Sequence, residues 1–330
     1  MTSVFARSAR FRPARELVVF ALTSALSSCA AGGEGSPAEN SSAGSGASLT
    51  TAATLELVVE KKFSKLLSDP ALDRFEASGV ITARGKLYVA FDNTTKIAAL
   101  DTSFDSATLG PGEAVDSQYE GITATDDARF FAMIETASET DTRAEIAELD
   151  ARTALTSAAF TDTTFEHVNK GFEGIAWLRA GGTEYLLGLC ENNACKNDDS
   201  TPGKGRVKVM TRMNDTWATQ LTLEVPSAAA FLNYSDLGLH ENGDGSYAVA
   251  IVSRKSSLLW TGTLTTSPWA LTGPSSFYTF PRNADGEIQY CSVEGVTFLG
   301  ANVLALVSDK SDGAPCSDKA ESVHLFQTPR

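Results

Sequence analysis

The chain has 330 residues, with 27 Lys and Arg against 41 Asp and Glu, and a formal net charge of -14 at pH 7. Its length allows one large domain or two small ones. An acidic chain repels the phosphates of nucleic acids and of anionic lipids, so neither nucleic acid nor a charged membrane surface is expected as a partner.

Residues 1–28 have the features of an export signal. A basic start with four arginines precedes an apolar stretch, LVVFALTSALSS, which is too short to span a membrane comfortably. The stretch ends in Leu26-Ser27-Ser28-Cys29, which resembles the lipobox of bacterial lipoprotein signal peptides. The resemblance implies that Cys29 is lipidated and begins the mature chain. The alternative is an ordinary secretory signal cleaved near Ala30-Ala31.

Residues 29–51 are rich in Gly, Ser and Ala and have almost no apolar bulk, which predicts a flexible tether. Several acyl chains on Cys29 would hold such a tether firmly to a bilayer. Ala30 stands where an inner-membrane retention signal usually has Asp, so the resemblance implies the outer membrane, on its periplasmic or surface face. Removing residues 1–28 takes away four arginines and one glutamate, which changes the net charge from -14 to -17. Such a charge suits solubility, cation binding or a basic partner.

Four cysteines follow Cys29 and fall into two local pairs. In an oxidising compartment we expect the disulfides Cys190–Cys195 and Cys291–Cys316, although four cysteines permit three pairings. A four-cysteine zinc site is the alternative, and the spacings do not suit it.

Residues 52–330 contain short apolar runs separated by Gly, Asn, Asp and Ser, the pattern of an all-β domain. Tyr119-Glu120-Gly121, Phe172-Glu173-Gly174 and Val293-Glu294-Gly295 repeat one motif. Aligned on its glycine, five segments each predict a strand, a tight turn and a more apolar second strand. The segments begin at Ser78, Glu120, Glu173, Leu237 and Glu294.

A third strand follows in every segment, and a fourth follows in the first four. The fifth segment lacks a fourth strand, while ATLELVVEKKF, from Ala53, belongs to no segment. We therefore predict an all-β fold, a β-propeller of five four-stranded blades closed by the N-terminal strand. Closure also protects the sheet edges. Six blades are the alternative because the glycines are unevenly spaced, and an irregular β-sandwich is the competing fold.

The EG[IV] motif precedes hairpins that end in stretches such as Phe91-Asp92-Asn93 and Cys190-Glu191-Asn192-Asn193. This combination resembles the propellers grouped as SdiA-regulated or phytase-like (esterase-like activity of phytase) proteins. The resemblance covers residues 53–330 and implies a secreted or lipid-anchored propeller. The activity of such propellers is often unknown, and calcium-dependent phosphoester hydrolysis is known among phytase propellers.

The first strand of a propeller blade is innermost, so the residues before the aligned glycines should meet at one rim of the channel. These residues are Ser78, Glu120, Glu173, Leu237 with Asp236 beside it, and Glu294. The second strands end on the same face, with terminal residues Asp92, Glu135, Glu191, Arg254 and Asp309. About eight carboxylates and a single cation, Arg254, should share this face, with Lys255 and Lys310 beside the ring.

Three roles are open for these carboxylates. They can accept backbone N–H bonds that hold neighbouring blades together. They can bind a hard cation such as calcium, with Glu120, Glu173 and Glu294 as ligands. They can also form a catalytic site in which crowding raises the pKa of one carboxyl group and makes it a general base.

Two functions follow, a binding or scaffold module at the cell envelope and a calcium-dependent phosphoester hydrolase. Nucleophile and phosphate-binding motifs such as G-x-S-x-G and H-E-x-x-H are missing from the sequence, so it identifies no catalytic residue. Calcium is the one cofactor that the sequence suggests. We expect a monomer that binds an unidentified small molecule, cation or protein.

The tryptophans invite a sugar-binding interpretation. Trp177 and Trp260 fall inside predicted strands, where we expect them to pack between blades. Trp217 and Trp269 lie next to predicted turns, where we expect exposure.

Overall fold

The computed structural model describes residues 52–112, 119–135, 140–168, 170–196, 202–311 and 313–329. The predicted export signal, the predicted lipidation site Cys29 and the predicted tether lie outside these residues. Among the described residues, no helix has the length and apolar character needed to cross a membrane.

Two strands and one helical turn precede the first repeat: β1 (Ala53–Thr54), β2 (Glu56–Lys62) and α1 (Phe63–Leu66). The repeats form five units, numbered in chain order. Unit 1 contains β3 (Ala77–Ala83), β4 (Lys86–Phe91), β5 (Thr94–Asp101) and β6 (Ala107–Leu109). Unit 2 contains β7 (Tyr119–Ala124), β8 (Phe130–Ile134), β9 (Arg143–Leu149) and β10 (Leu155–Thr164).

The remaining units have the same plan. Unit 3 contains β11 (Phe172–Ala180), β12 (Thr183–Cys190), β13 (Arg206–Met213) and β14 (Thr216–Glu224). Unit 4 contains β15 (Asp236–Glu241), β16 (Tyr247–Ser253), β17 (Leu258–Thr266) and β18 (Trp269–Thr279). Unit 5 contains β19 (Val293–Gly300), β20 (Val303–Ser308) and β21 (Ser322–Gln327), with 3-10 turns at Asn193–Cys195 and Cys316–Asp318.

Each unit is an antiparallel meander, and the units lie around a central channel. Five buried apolar clusters join them, one between each neighbouring pair, and the last joins unit 5 back to unit 1. Units 2 and 3 also pair along their outer strands, β10 and β14, which makes one eight-stranded sheet. The predicted all-β propeller is confirmed.

The N-terminal segment contributes one strand to each of two units, instead of contributing to one unit only. β2 pairs with β21 and gives unit 5 its fourth strand, as the sequence predicts. β1 pairs in parallel with β18 and extends unit 4. Leu55, between the two strands, is 1% exposed and packs between units 4 and 5, so one buried side chain anchors the change of direction.

The aligned glycines mark where neighbouring inner strands approach one another most closely. A Cβ on Gly79 would lie 2.7 Å from the Cα of Gly121 in the next unit, and one on Gly174 would lie 2.8 Å from the Cα of Asp236. Gly121, Gly238 and Gly295 stand in equivalent places against the units that follow them. The repeated glycine is therefore required because backbone packs directly on backbone around the ring.

The residue before the glycine is a β-bulge in four of the five units. The pairing register shifts across Ser78, Glu120, Glu173 and Glu294. A bulge leaves one residue out of the ladder and redirects its side chain. Unit 4 has no such shift, since Asp236, Leu237 and Gly238 pair in regular order with β16.

A buried polar network fixes the closing strand β2. The Nε2 atom of His324, which is fully buried on β21, lies 2.9 Å from Ser308 Oγ, and its Nδ1 lies 3.4 Å from Glu60 Oε2 on β2. Lys319 also pairs with Glu60, and the Tyr290 hydroxyl donates to it over 3.3 Å. The Ser–His–Glu order is that of a hydrolytic triad, but Ser308 is only 1% exposed and no substrate can reach it. The network therefore stabilises closure.

We expect this network to make stability fall as the pH drops below about 6.5. Burial lowers the pKa of His324, with Glu60 opposing it, so the unfolded chain binds a proton that the folded protein does not. The stability contributed by the neutral ring is complete above the unfolded pKa and is lost below it, by at most about 1.4 kcal/mol per pH unit. In urea unfolding across about 2.5 pH units below neutrality, His324→Gln should remove this part of the dependence of stability on pH. The exposed His167, changed to Gln, is the matched control, and an unchanged slope in His324→Gln would contradict the assignment.

Both expected disulfides are present, Cys190–Cys195 after β12 and Cys291–Cys316 in unit 5. Disulfides persist in oxidising surroundings and are rare in a reducing cytosol. The two bonds therefore indicate a periplasmic or extracellular environment.

Candidate functional site

The bulged glutamates lie together at the end of the channel where the inner strands begin. Glu120 and Glu173 are partly buried and Glu294 is 8% exposed. The charges of Glu120 and Glu294 both act on Glu173, which places the three side chains in one electrostatic group. Ser78 is the bulged residue of unit 1, and its hydroxyl donates to the carbonyl of Tyr119 instead of adding a charge.

The residue that follows each second strand lies at the same end. These residues are Asp92, Glu135, Glu191, Arg254 and Asp309, after β4, β8, β12, β16 and β20. Glu135, Glu191 and Asp309 are each at most 8% exposed. The inner glutamates and the second-strand acids thus form one set of seven, here called the acidic ring: Glu120, Glu173, Glu294, Asp92, Glu135, Glu191 and Asp309.

Burial among like charges disfavours ionisation of Glu120, Glu135, Asp309 and Asp92. Burial, reinforced by the charge of Glu135, raises the pKa of Glu120 well above its usual range. Burial also raises the pKa of Glu135 to about 7, with Glu191 adding to the effect, and the pKa of Asp309 to about 6. The pKa of Asp92 rises to about 7 through burial and its hydrogen bond with Glu76.

Arg254 is the cation that the sequence predicts in this ring. It pairs with Glu294 across units 4 and 5. Burial opposes the charge of Arg254, but Glu294 and Glu173 outweigh burial and raise its pKa. Burial nevertheless raises the pKa of Glu294 to about 8 despite this partner.

Lys170 is a second cation at this end of the channel, so the prediction that Arg254 is the single cation there is wrong. Its Nζ donates to both carboxylate oxygens of Glu191, at 2.9 and 2.6 Å. Alignment of the five repeats does not identify Lys170, because it lies in the connection before β11, outside the repeated hairpin. The sequence signal that could have identified it is its position three residues before Glu173.

At the edge of the ring, Lys310 pairs with Glu76 at 2.5 Å. Glu76 lies just before β3 and was also missed, because it precedes the aligned segment. The other lysine expected beside the ring, Lys255, donates its backbone N–H to Asn233.

Asp236 does not join the acidic ring. Its Oδ1 accepts the N–H of Leu237 and its Oδ2 accepts the N–H of Val296 in unit 5, both at 2.8 Å. Burial raises the pKa of Asp236, and the two N–H bonds oppose that shift. Asp236 thus accepts backbone N–H bonds and holds neighbouring units together, which is the first of the three roles open for the inner acids. Within the described residues, Glu120 and Glu173 accept no such bond.

Three ring members could hold one metal ion together. Among the described residues, Glu135, Glu173 and Glu191 each place a carboxylate oxygen within 4.8 Å of the others. Of the ligands expected from sequence, Glu173 belongs to this group, while Glu120 and Glu294 stand outside it. Carboxylate oxygens are the donors that Ca²⁺ takes, and three bidentate carboxylates could supply up to about six of its 6–8 oxygens. The donor set therefore fits a hard cation.

The fold and the site define a β-propeller with a carboxylate ring at one mouth of its channel. No protein-family model matches the chain. No curated protein matches it either. The solved structures to which it is similar thus provide the remaining comparison.

Three of these structures show the range of the similarity. The chain is similar to CoXyl43, a GH43 β-xylosidase/α-arabinofuranosidase from a compost microbial metagenome (TM-score 0.48, 11% identity, 82% of this chain and 94% of that chain). It is similar to the aldose sugar dehydrogenase of Streptomyces coelicolor (TM-score 0.45, 14% identity, 82% and 98%). It is also similar to the hydrazine synthase of Kuenenia stuttgartiensis (TM-score 0.41, 9% identity, 74% and 59%), so it spans about three fifths of that chain. At such identities the likeness concerns the fold alone.

Proposed function

We propose that the protein is a binding module of the bacterial cell envelope whose acidic ring captures a hard cation, with calcium as the best candidate. The observation that carries this proposal is the convergence of Glu135, Glu173 and Glu191 within 4.8 Å. Crowded carboxylates repel one another until a cation neutralises them, and a bound cation stabilises the folded state. The lipobox-like sequence ending at Cys29 and the tether that follows it would hold this module to the outer membrane.

Glu173 is the most informative member of the group. Its burial and the charges of Glu120 and Glu191 raise its pKa well above the usual range, so it gains most from a neutralising ion. Lys170 pairs with both oxygens of Glu191, whereas Glu135 and Glu173 have no ion pair within the described residues. Because two carboxyl groups without an ion pair lie beside one that is paired with a lysine, the group favours a divalent ion.

Calcium should raise the melting temperature of the wild-type protein relative to a chelator. A ligand at a hundredfold excess over its dissociation constant stabilises the folded state by about 2.7 kcal/mol. Glu173→Gln should remove most of this increase in melting temperature, because it removes the charge of one ligand. Glu224→Gln, at a carboxylate that is 76% exposed on β14, should leave the rise unchanged.

The behaviour without calcium separates metal binding from architecture. If the ring serves a cation, Glu173→Gln should be as stable as wild type, or more stable, in the chelator, because it relieves repulsion between carboxylates. A large loss of stability in the chelator, with no calcium effect on wild type, would show that the glutamates hold the units together and would overturn the proposal.

A calcium-dependent phosphoester hydrolase is the alternative function. The geometry that favours it is the crowding of carboxyl groups beside the metal group, since one of them could serve as general base for an attacking water. Turnover of p-nitrophenyl phosphate that requires calcium and falls at least about a hundredfold in Glu135→Gln would favour the enzyme. Calcium binding without turnover would favour the binding module.

A further inference from the structure

The channel has a second mouth at the opposite end of the inner strands. A cavity of about 500 Å³ lies there, walled by the carboxy-terminal parts of β3, β7, β11 and β15. Its lining begins at Ile122 and Ile175, two residues after Glu120 and Glu173, and extends to Asp126 and Arg179. The carboxylates of the acidic ring are not among its lining residues, and its volume falls within the range of small-molecule sites, about 300–1,000 Å³.

The wall of the cavity is rich in uncharged hydrogen-bonding groups. Each inner strand pairs only with the second strand of its own unit. Its other edge faces the channel, and in the described residues no strand pairs with that edge. Main-chain N–H and C=O groups of four strands therefore face the lumen around its circumference. Some are used between units, as when Trp177 N–H donates to Thr123 Oγ1 over 2.9 Å and Thr82 N–H donates to Thr297 Oγ1 over 3.3 Å. A ligand would bond to groups that are not used in this way.

An aromatic surface lies in the same wall. Trp177 packs on the apolar cluster between units 2 and 3, as expected, and is also partly exposed in this wall. The guanidinium of Arg179 stands 5.6 Å from its ring centroid, and the Tyr247 hydroxyl donates to the Arg179 carbonyl over 3.1 Å. The indole and the phenol are thus held in place at the mouth.

Four charged side chains line the mouth: Arg84, Arg179, Asp126 and Glu241. Both guanidiniums are already engaged, Arg84 with main-chain carbonyls and Arg179 with Glu184 at 2.9 Å. Asp126 and Glu241 make no ion pair within the described residues, so an anionic ligand would meet two unpaired acids and no free cation.

Two wall residues also hold polar atoms that lack a partner. Thr82 Oγ1 and Trp177 Nε1 are both enclosed and make no hydrogen bond within the described part of the chain. An enclosed polar group without a partner costs about 1–3 kcal/mol, so a ligand that reached either atom would recover part of that cost.

We infer that this cavity is a binding site for a neutral sugar of one or two rings. A sugar offers an apolar face for the Trp177 indole and hydroxyl groups around its whole edge, each of which both donates and accepts. Such an edge matches a circular wall of main-chain groups, whereas a flat aromatic heterocycle has polar atoms at only a few positions. The two acids at the mouth, Asp126 and Glu241, select against sugar acids.

The test is saturation-transfer NMR of the full chain with glucose, xylose, cellobiose and xylobiose. At least one neutral sugar should bind with a dissociation constant of about 1 mM or tighter, and glucuronate and indole should bind more weakly. Sugar binding should be the same in calcium and in a chelator, so failure of the cation proposal would not affect this result. No signal from any sugar at about 10 mM, or binding of indole alone, would overturn the inference.

Variants locate the site. Trp177→Leu should weaken sugar binding about tenfold through loss of the stacking surface. Thr82→Val, which keeps the shape of the side chain, should weaken binding without affecting folding. Trp269→Leu, at a partly buried indole that packs on Tyr185 in the outer part of unit 4, is the matched control and should bind as wild type does. Unchanged binding in both Trp177→Leu and Thr82→Val would refute the assignment.

Discussion

Replacing Gly79 with alanine should lower the free energy of unfolding by about 3 kcal/mol. The new Cβ would lie 2.7 Å from Gly121 Cα and 2.9 Å from Ile122 N, both of them main-chain atoms of the next inner strand. A flexible side chain could rotate away from such a contact, but a strand within a hydrogen-bonded sheet cannot move without displacing its unit. Urea unfolding followed by circular dichroism would measure the loss.

Gly300→Ala is the matched control for this substitution. Gly300 also lies in an inner strand, β19, but no heavy atom comes within 4 Å of the position that its Cβ would occupy. Its replacement should therefore change stability by no more than about 0.5 kcal/mol. Equal stability of Gly79→Ala and wild type would contradict the close approach of β3 and β7.

Asp236→Ala should cost about 2–5 kcal/mol, because it leaves two buried N–H groups without an acceptor. The carboxylate is 3% exposed and accepts from Leu237 and from Val296, so it links units 4 and 5. Asp236→Asn retains one carbonyl oxygen and should lie between alanine and wild type. Chemical unfolding of the three proteins would reveal this order.

An exposed aspartate with comparable bonds provides the control. Asp162 accepts the N–H of Thr219 over 2.8 Å and its hydroxyl over 2.7 Å, which links units 2 and 3 at the surface. Water can replace these bonds, so Asp162→Ala should cost less than about 1 kcal/mol. A similar loss at Asp162 and Asp236 would argue that burial does not set the cost.

Much of the fold could be predicted from the sequence because its signals are local. Gly181 and Gly182, with φ of 57° and 80°, form a hairpin turn where the Gly-Gly pair predicted one. The repeat aligned on glycine placed Glu120 and Glu173 in equivalent positions because the same close contact recurs in each unit. The unpartnered strand at Ala53 correctly indicated how unit 5 is completed.

Other features could not be predicted because they depend on contacts between units. Trp217, expected near the surface, is 3% exposed because Phe131 of unit 2 packs against it. Trp177, expected to be packed, partly faces the cavity. Burial of an aromatic ring depends on the neighbouring unit, and a strand pattern does not contain that information.

By itself, the sequence determined the all-β repeat, the local disulfides and which carboxylates occur at equivalent positions, since periodicity, turn residues and short cysteine spacings act within one unit. Only the tertiary structure decided what each acid does. Glu173 lies on a bulge and joins the acidic ring, whereas Asp236 sits in regular register and bonds the backbone of the next unit. A shift of one residue in strand register reverses the direction of a side chain, and that register is set by packing around the closed ring.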